Sequence, residues 1–480
     1  MTPYPLVGRT AEQQVLHQTL RSPGAELVAI VGRRRVGKTF LVKSFFQQQL
    51  DFEITGIQHA SRSEQLRNFS FQMARLGGFS ALGPEPRDWL DAFFQLSQAL
   101  ENKPKEGKWV VFLDELPWLA THGSGFLKGL SWFWNSWAVN QPVVVVICGS
   151  AASWMIKHVV NHKGGLHNRI TRRIHLQPFT LAETEAFFES RHIQFDRYQL
   201  AHLYMVLGGV PLYLNEVTGG RSAAQNIEAI CFSPNGLLRD EFPKLFAALF
   251  ESPKTHLAIV KALATRKKGL TYTEIAHTTG LSDGGSLSTV LEELLHSDFI
   301  SRIAPFEKKK KDRLYRLTDE FSLFYLQFME PYLERGVEQW QQLAKEQGFV
   351  SWSGYAFENM CLKHLPSIKQ ALGISGVLTQ AGSYIQRGTD SQPGLQVDLL
   401  LERSDHVIHV FELKFYAGEF SLTKEEALRL RNRVAAFKEA TGTRKQVWLT
   451  LITPFGLRHN AHSLGLVDSQ LTLDALFRQV

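Results

Sequence analysis

The segment Val28-Ala29-Ile30-Val31-Gly32-Arg33-Arg34-Arg35-Val36-Gly37-Lys38-Thr39 constrains the fold more than any other stretch of the 480-residue chain. A short apolar run leads into Gly-x-x-x-x-Gly-Lys-Thr, the spacing of a P-loop. Gly32 lets the strand turn sharply, and Gly37 lets backbone N–H groups curl around a phosphate. A helix from Lys38 to about Gln49 then points its positive end at the same anion. The motif predicts that Gly32, Arg33, Arg34, Arg35, Val36, Gly37, Lys38, Thr39 and Phe40 line a nucleotide. Lys38 is expected at the β/γ-phosphates and Thr39 at Mg²⁺.

Two further apolar strands end in polar residues. Trp109-Val110-Val111-Phe112-Leu113 runs into Asp114-Glu115, the form of a Walker B element, in which Asp114 holds Mg²⁺ and Glu115 polarises the attacking water. Val143 to Cys148 runs into Gly149-Ser150, which places a hydroxyl at a strand tip where it can sense a γ-phosphate. One such strand can be a core strand with a polar cap; three together argue for a site. Ile54-Thr55-Gly56-Ile57 is a candidate short strand of the same sheet. Helical spacings of Phe69, Met73 and Leu76, and of Trp89, Phe93 and Leu96, alternate with the strands. That alternation predicts a parallel sheet with helices on both faces. The aromatic segment Phe126 to Trp137 reads as core.

Composition narrows the class. A formal charge of +7 and a pI near 9.1 permit an anionic partner without requiring one. Cys148, Cys231 and Cys361 are too scattered for a zinc site or a disulfide framework. The start, Met1-Thr2-Pro3-Tyr4-Pro5, has no signal-sequence character, and the longest aliphatic run is too short to cross a bilayer. The expectation is a cytoplasmic protein with no membrane segment.

After the third strand, Arg169 either senses nucleotide or belongs to a basic surface segment, and Arg172 and Arg173 read as a basic surface strand. Helices over Leu181–Ser190 and Asp196–Leu207 break at Gly208-Gly209-Val210-Pro211. From Lys254 to about Phe328 three helices (Thr255–Ala264, Thr273–Thr279, Ser286–Ser297) precede two short strands whose connecting tip holds Lys308, Lys309, Lys310 and Lys311. This is the outline of a winged helix. Its third helix can enter a DNA major groove while the lysines neutralise phosphates; alternatively the wing only bridges domains. Glu292 and Glu293 on the third helix argue against base-specific readout.

The C-terminal part carries a second constellation. Glu358 lies on an expected helix. Gln396-Val397-Asp398-Leu399-Leu400-Leu401 and Val407-Ile408-His409-Val410-Phe411-Glu412-Leu413-Lys414 read as two strands, and together they resemble the D…ExK core of the PD-(D/E)XK nucleases. In that resemblance Asp398 and Glu412 share Mg²⁺, Glu358 completes the shell, and Lys414 stabilises phosphate charge. Side-chain alternation puts Glu412 and Lys414 on one face. Asp398 joins them only if Arg403 pairs with Val407 across a three-residue loop, Ser404 to His406; a two-residue loop turns it away unless a bulge intervenes.

Taken together, Gly32 to Thr39, Leu113 to Pro117, and Asp398 with Glu412-Leu413-Lys414 resemble the prokaryotic AAA+ family of archaeal-type ATPases. The resemblance implies an α/β fold: a P-loop NTPase parallel sheet of the AAA+ (ASCE) kind, a helical lid, a winged helix and a C-terminal restriction-endonuclease-like α/β domain. The corresponding boundaries are 1–165, 166–250, 251–335 and 345–480. It implies binding and hydrolysis of ATP with Mg²⁺, while the wing lysines Lys308 to Lys311 make DNA the expected partner. Weak arginine-finger signals favour a monomer or small oligomer over a hexameric motor. The rival reading is a nucleotide-regulated DNA- or protein-binding switch whose nuclease-like domain is inactive.

Overall fold

A computed structural model of the chain describes residues 5–77, 84–103, 106–150, 152–160, 166, 168–250, 252–281, 284–307, 312–334, 340, 347–386, 388 and 394–479. The chain divides into two compact units, Met1–Pro178 with Ala248–Glu251 and His296–Asp298, and the remainder.

The first unit is built on five parallel strands: β1 (Glu26–Val31), β2 (Leu50–Thr55), β3 (Trp109–Asp114), β4 (Val143–Gly149) and β5 (Arg172–His175), in the order β2-β3-β4-β1-β5. β1 and β4 are buried at every position, as strands covered on both faces must be. Leu27, Ala29 and Val31 face an aromatic layer of Phe69, Trp89, Phe93, Phe126 and Phe133, so the aromatic run after Gly125 is core as its spacing predicts. Val28 and Ile30 face Leu16, Leu41 and Phe46 on the other side. Because β4 lies between β1 and β3, the ends of three strands converge at one edge of the sheet.

Two boundaries differ from expectation. The helix after the P-loop is α-helical only over Lys38–Phe46, where Gln47 at φ 44° breaks it into a 3₁₀ turn. The second strand starts at Leu50 rather than Ile54, because Phe52 and Ile54 both pack into the core. It stops at Thr55 because Gly56 passes the Glu115 carbonyl so closely that a Cβ there would lie 2.8 Å from it.

In the second unit, helices Leu181–Glu189 and Arg197–Leu207 are followed by helices Pro253–Ala264, Tyr272–Thr279 and Gly285–His296. With them goes a small antiparallel sheet made of β6 (Leu270–Thr271), between the first two of these three helices, and β7 (Ile300–Ile303) and β8 (Leu314–Leu317) after the third, in the order β6-β8-β7. Thr271 and Glu274 form a full capping box on the second of the three helices. The four lysines 308–311 lie outside the described residues.

The C-terminal sheet has β9 (Thr379–Gln386), β10 (Leu395–Arg403), β11 (Val407–Leu413), β12 (Gln446–Ile452) and β13 (Ser469–Leu471) in sequential neighbour order. Helix Lys424–Thr441 lays Leu430 and Phe437 on this sheet. His364 stitches the unit together: its Nδ1 lies 2.8 Å from the Met360 carbonyl, and its Nε2 accepts from the Leu181 N–H at 3.0 Å. Burial lowers its pKa to about 4, which keeps the ring neutral and Nε2 free to accept. No helix among the described residues is long and apolar enough to cross a membrane.

Phe93 is fully buried and packs against the rings of Phe69, Trp89, Phe126 and Phe133. Replacing it by Ala is expected to cost ~3–5 kcal/mol, read as a lower urea midpoint for the first unit.

Candidate functional site

The P-loop is shaped by glycines at the places where a side chain cannot go. Gly32 has φ 154°, and a Cβ on it would stand 2.4 Å from the Leu176 carbonyl oxygen; Gly37 has φ 93°. Arg35 also has positive φ, at 74°. Arg33 is buried, Arg34 half-buried, and Phe40 partly exposed on the first helical turn. Gly37 starts that helix with no side-chain cap, whereas four other helices close theirs with Thr or Ser boxes. The P-loop helix thus keeps its first-turn N–H groups clear of a side-chain acceptor, as an anion site needs.

Lys38 is buried and its ammonium donates to the carbonyls of Gly32 and Arg33 at 2.9 and 2.8 Å. Burial lowers its pKa, against the charges of Glu115 and Asp114, which raise it. Arg9, 27 residues upstream, donates to the Val36 carbonyl at 3.2 Å and so braces the loop directly. Only its position ahead of the loop hints at that partnership in the sequence.

The tips of β3 and β4 meet the loop. Thr39 Oγ1 donates to Asp114 Oδ2 at 2.6 Å. The other oxygen of Asp114 accepts from the Glu115 N–H at 2.9 Å and from the Cys148 thiol at 2.6 Å. Burial pushes the Cys148 thiol well up, so it stays protonated and donates. In the sequence Cys148 is legible only as a core residue; its role follows from β4 lying beside β3. Glu115, at φ 48°, accepts on one oxygen from both the Ser150 N–H and its hydroxyl, at 3.1 and 2.8 Å. Thr39 and Asp114 offer a compact pair of hard oxygens, a donor set that fits Mg²⁺. Arg169 is exposed in a turn ahead of β5, and Arg172 lies 3.7 Å from Glu26.

The C-terminal constellation takes the register that the three-residue loop predicts. Leu400 pairs with Val410 and Glu402 with Ile408 around Ser404–His406, with His406 at φ 66°. The recorded ladder ends at Leu400, and β10 is irregular between Val397 and Leu400, so Asp398 lies past the last regular pair. Lys414 lies 3.1 Å from Glu412, on the shared face.

The expected metal shell is nevertheless not assembled. Glu412 is ringed by cations, with Arg433 on one oxygen and Lys414 and Arg429, at 3.1 and 3.6 Å, on the other. Glu358 accepts from Arg316 at 3.0 Å, and Asp398 from the Gln396 amide at 2.6 Å. Among the described residues no group of three or more His, Cys, Asp or Glu is placed to hold a metal ion. In this arrangement Glu358, Asp398 and Glu412 therefore do not fit a shared divalent ion, because guanidinium and ammonium groups hold both oxygens of Glu412 and one oxygen of Glu358. Arg316 and Arg433 are 42 and 21 residues from their partners, beyond the reach of any local pattern.

Burial and the nearby Asp398 charge raise the Glu358 pKa to about 7, with Arg316 pulling the other way. At Glu358 the folded state holds a proton that the unfolded chain gives up between pH ~4.5 and ~7, so this group's contribution to stability is lost as pH rises through that window. His202, His364 and His409, lowered to about 4 by burial, contribute with the opposite sign. Glu358→Gln should therefore raise Tm at pH 8 relative to pH 5 when compared with the wild-type chain; an identical pH profile would remove Glu358 from the balance.

Residues 6–217 match a family profile described as an ATPase domain predominantly from Archaea. An uncharacterised protein of Methanocaldococcus jannaschii is 24% identical over 390 residues, covering 80% of this chain and 82% of that protein. Among solved structures, a Walker-type ATPase of Pyrococcus abyssi aligns at TM-score 0.49 and 18% identity, covering 67% of this chain and 96% of that one. The ORC2 protein of Aeropyrum pernix aligns at TM-score 0.41 and 16% identity, covering 71% and 97%. The segment that carries the P-loop and the Asp114–Glu115 pair is thus similar in sequence to an archaeal-type ATPase domain.

Proposed function

We propose that the chain is a Mg²⁺-dependent ATPase of the AAA+ type whose nucleotide state governs a DNA-binding segment. The observation that carries this reading is the 2.6 Å hydrogen bond from Thr39 to Asp114, which joins the P-loop to the tip of β3. Thr39 and Asp114 would hold Mg²⁺, which when bound supplies charge neutralisation at the phosphate oxygens. Lys38 moves from the loop carbonyls to the phosphates. Glu115 takes the proton of the attacking water, and Ser150 fixes which carboxylate oxygen faces it. On this reading residues 1–165 are the ATPase core, 166–250 a helical lid, 251–335 a winged helix and 345–480 a nuclease-like module.

The winged-helix assignment is supported by three helices followed by the β7–β8 hairpin. On its third helix Glu292 pairs with Arg302 at 3.1 Å, which lessens its repulsion of a phosphate backbone, and Glu293 is hydrogen-bonded to His256 at 2.8 Å. For the C-terminal module, the cations on Glu358 and Glu412 favour the second reading, a regulated binding protein that does not cleave in this arrangement.

Lys38→Ala should abolish tight ATP binding in a fluorescent-nucleotide titration. Glu115→Gln should keep binding and cut phosphate release by ~10²–10⁴-fold; unchanged turnover would remove Glu115 from the chemistry. Replacing Lys308 to Lys311 by Ala should weaken binding to duplex DNA and flatten its salt dependence, by about 0.9 in log–log slope for each phosphate no longer neutralised. Undiminished affinity would place the DNA-binding surface elsewhere.

A further inference from the structure

We propose that the end of β11, beside helix Lys424–Thr441, binds single-stranded nucleic acid, with an unpaired base stacked on Tyr416 and the adjoining phosphates held by Lys414 and Arg429. The inference rests on the C-terminal module being one that binds and does not cleave, and deepens that reading by naming the ligand class and the residues that take it.

The end of β11 carries more positive charge than the fold uses there. Ile408 and Val410 share a core layer with Leu430 and Phe437 of helix Lys424–Thr441, and Glu412, two residues on, faces the same helix. Its carboxylate takes Arg433 on one oxygen and Lys414 and Arg429, at 3.1 and 3.6 Å, on the other. Arg429 and Arg433 lie one helical turn apart, where like charges repel. Among the described residues no other acid pairs with these three cations, so one negative charge answers three positive ones. Arg429, with its side chain 53% exposed, is the most open of the three.

Beside the cations stands an aromatic ring that the core leaves half uncovered. Tyr416 is 52% exposed and leans on Phe420, with ring centres 5.3 Å apart. Phe420 belongs to the same layer as Val410 and Leu430, so it keeps Tyr416 on the helix side, two residues beyond Lys414. The backbone that carries them is pinned at both ends, since the Lys414 N–H donates to the Ile452 carbonyl at 3.0 Å and the Phe420 N–H to the Gly456 carbonyl at 2.9 Å. An open aromatic face next to surplus cations suits an unpaired base and its phosphates. A duplex keeps its base faces stacked on one another and has none to offer. Glu412 holds the cations in place beforehand, so an incoming phosphate meets oriented donors and less side-chain freedom is lost on binding.

The test is fluorescence anisotropy of a fluorescein-labelled oligothymidylate titrated with the full chain in a chelating buffer without nucleotide. Wild type should bind, and Tyr416→Phe should match it. Tyr416→Ala should bind about tenfold more weakly. Arg429→Ala should weaken binding and lower the log–log salt slope by about 0.7. Both side chains are about half exposed, so neither change removes a core residue. No binding by wild type, or either alanine variant binding as tightly as wild type, overturns the proposal. Thymidine monophosphate displacing the probe at the same nucleotide concentration makes the ligand a free nucleotide and overturns it too. Exchanging the chelator for Mg²⁺ separates this inference from the reading beneath it. Cleavage of a probe whose binding depends on Tyr416 rejects the binding-only reading and sustains the stack, whereas an intact probe bound equally by Tyr416→Ala does the reverse.

Discussion

One hydroxyl and one carboxylate, 2.6 Å apart, hold the first unit's chemistry in place. Thr39 sits at the start of the P-loop helix and Asp114 at the end of β3, so their hydrogen bond fixes the phosphate loop against the far side of an intervening strand. That strand, β4, then contributes from below: Cys148 holds the second oxygen of Asp114, and Ser150 holds Glu115. Each group is positioned by a partner on a different strand. The site is a property of strand order, since any arrangement without β4 between β1 and β3 would leave Asp114 and Glu115 without these donors.

What can be read from the sequence follows the same division between local and distant causes. Gly32, Gly37, Lys38 and Thr39 are legible because covalent spacing alone sets the loop's backbone. The β10–β11 register is legible because side chains alternate with period two and the loop length settles the parity. The capping box at Thr271 and Glu274 is likewise a four-residue affair. By contrast β9, Thr379-Gln-Ala-Gly-Ser-Tyr-Ile-Gln, carries small and polar residues with no clear alternation; it is a strand because β10 offers it an edge. Arg316 and Arg433, which pair with Glu358 and Glu412, are beyond reading for the same reason, as they arrive from separate elements.

The second unit treats its buried charge differently from the first. Around Asp114 the recorded donors, the Thr39 hydroxyl, the Glu115 N–H and the Cys148 thiol, are all neutral. Around Glu358, Glu412 and Glu320 the neighbours are Arg316, Arg433 and Lys363, so the charge is already answered from within. Two acidic constellations that look alike on paper thus differ in their partners, one held mostly by neutral donors and one by cations.

The close approach of Gly32 to the Leu176 carbonyl has a consequence for the order of events when the chain is made. The Val31 carbonyl accepts from the Leu176 N–H, and the Leu27 N–H bonds to Thr171, 144 residues downstream. The P-loop, encoded near the start of the chain, therefore completes its walls only when β5 pairs with β1. On a ribosome the loop emerges long before it has a floor, and the ability to hold a nucleotide arrives with the last strand of the sheet. Nucleotide capture is in this sense a report that the whole sheet has closed.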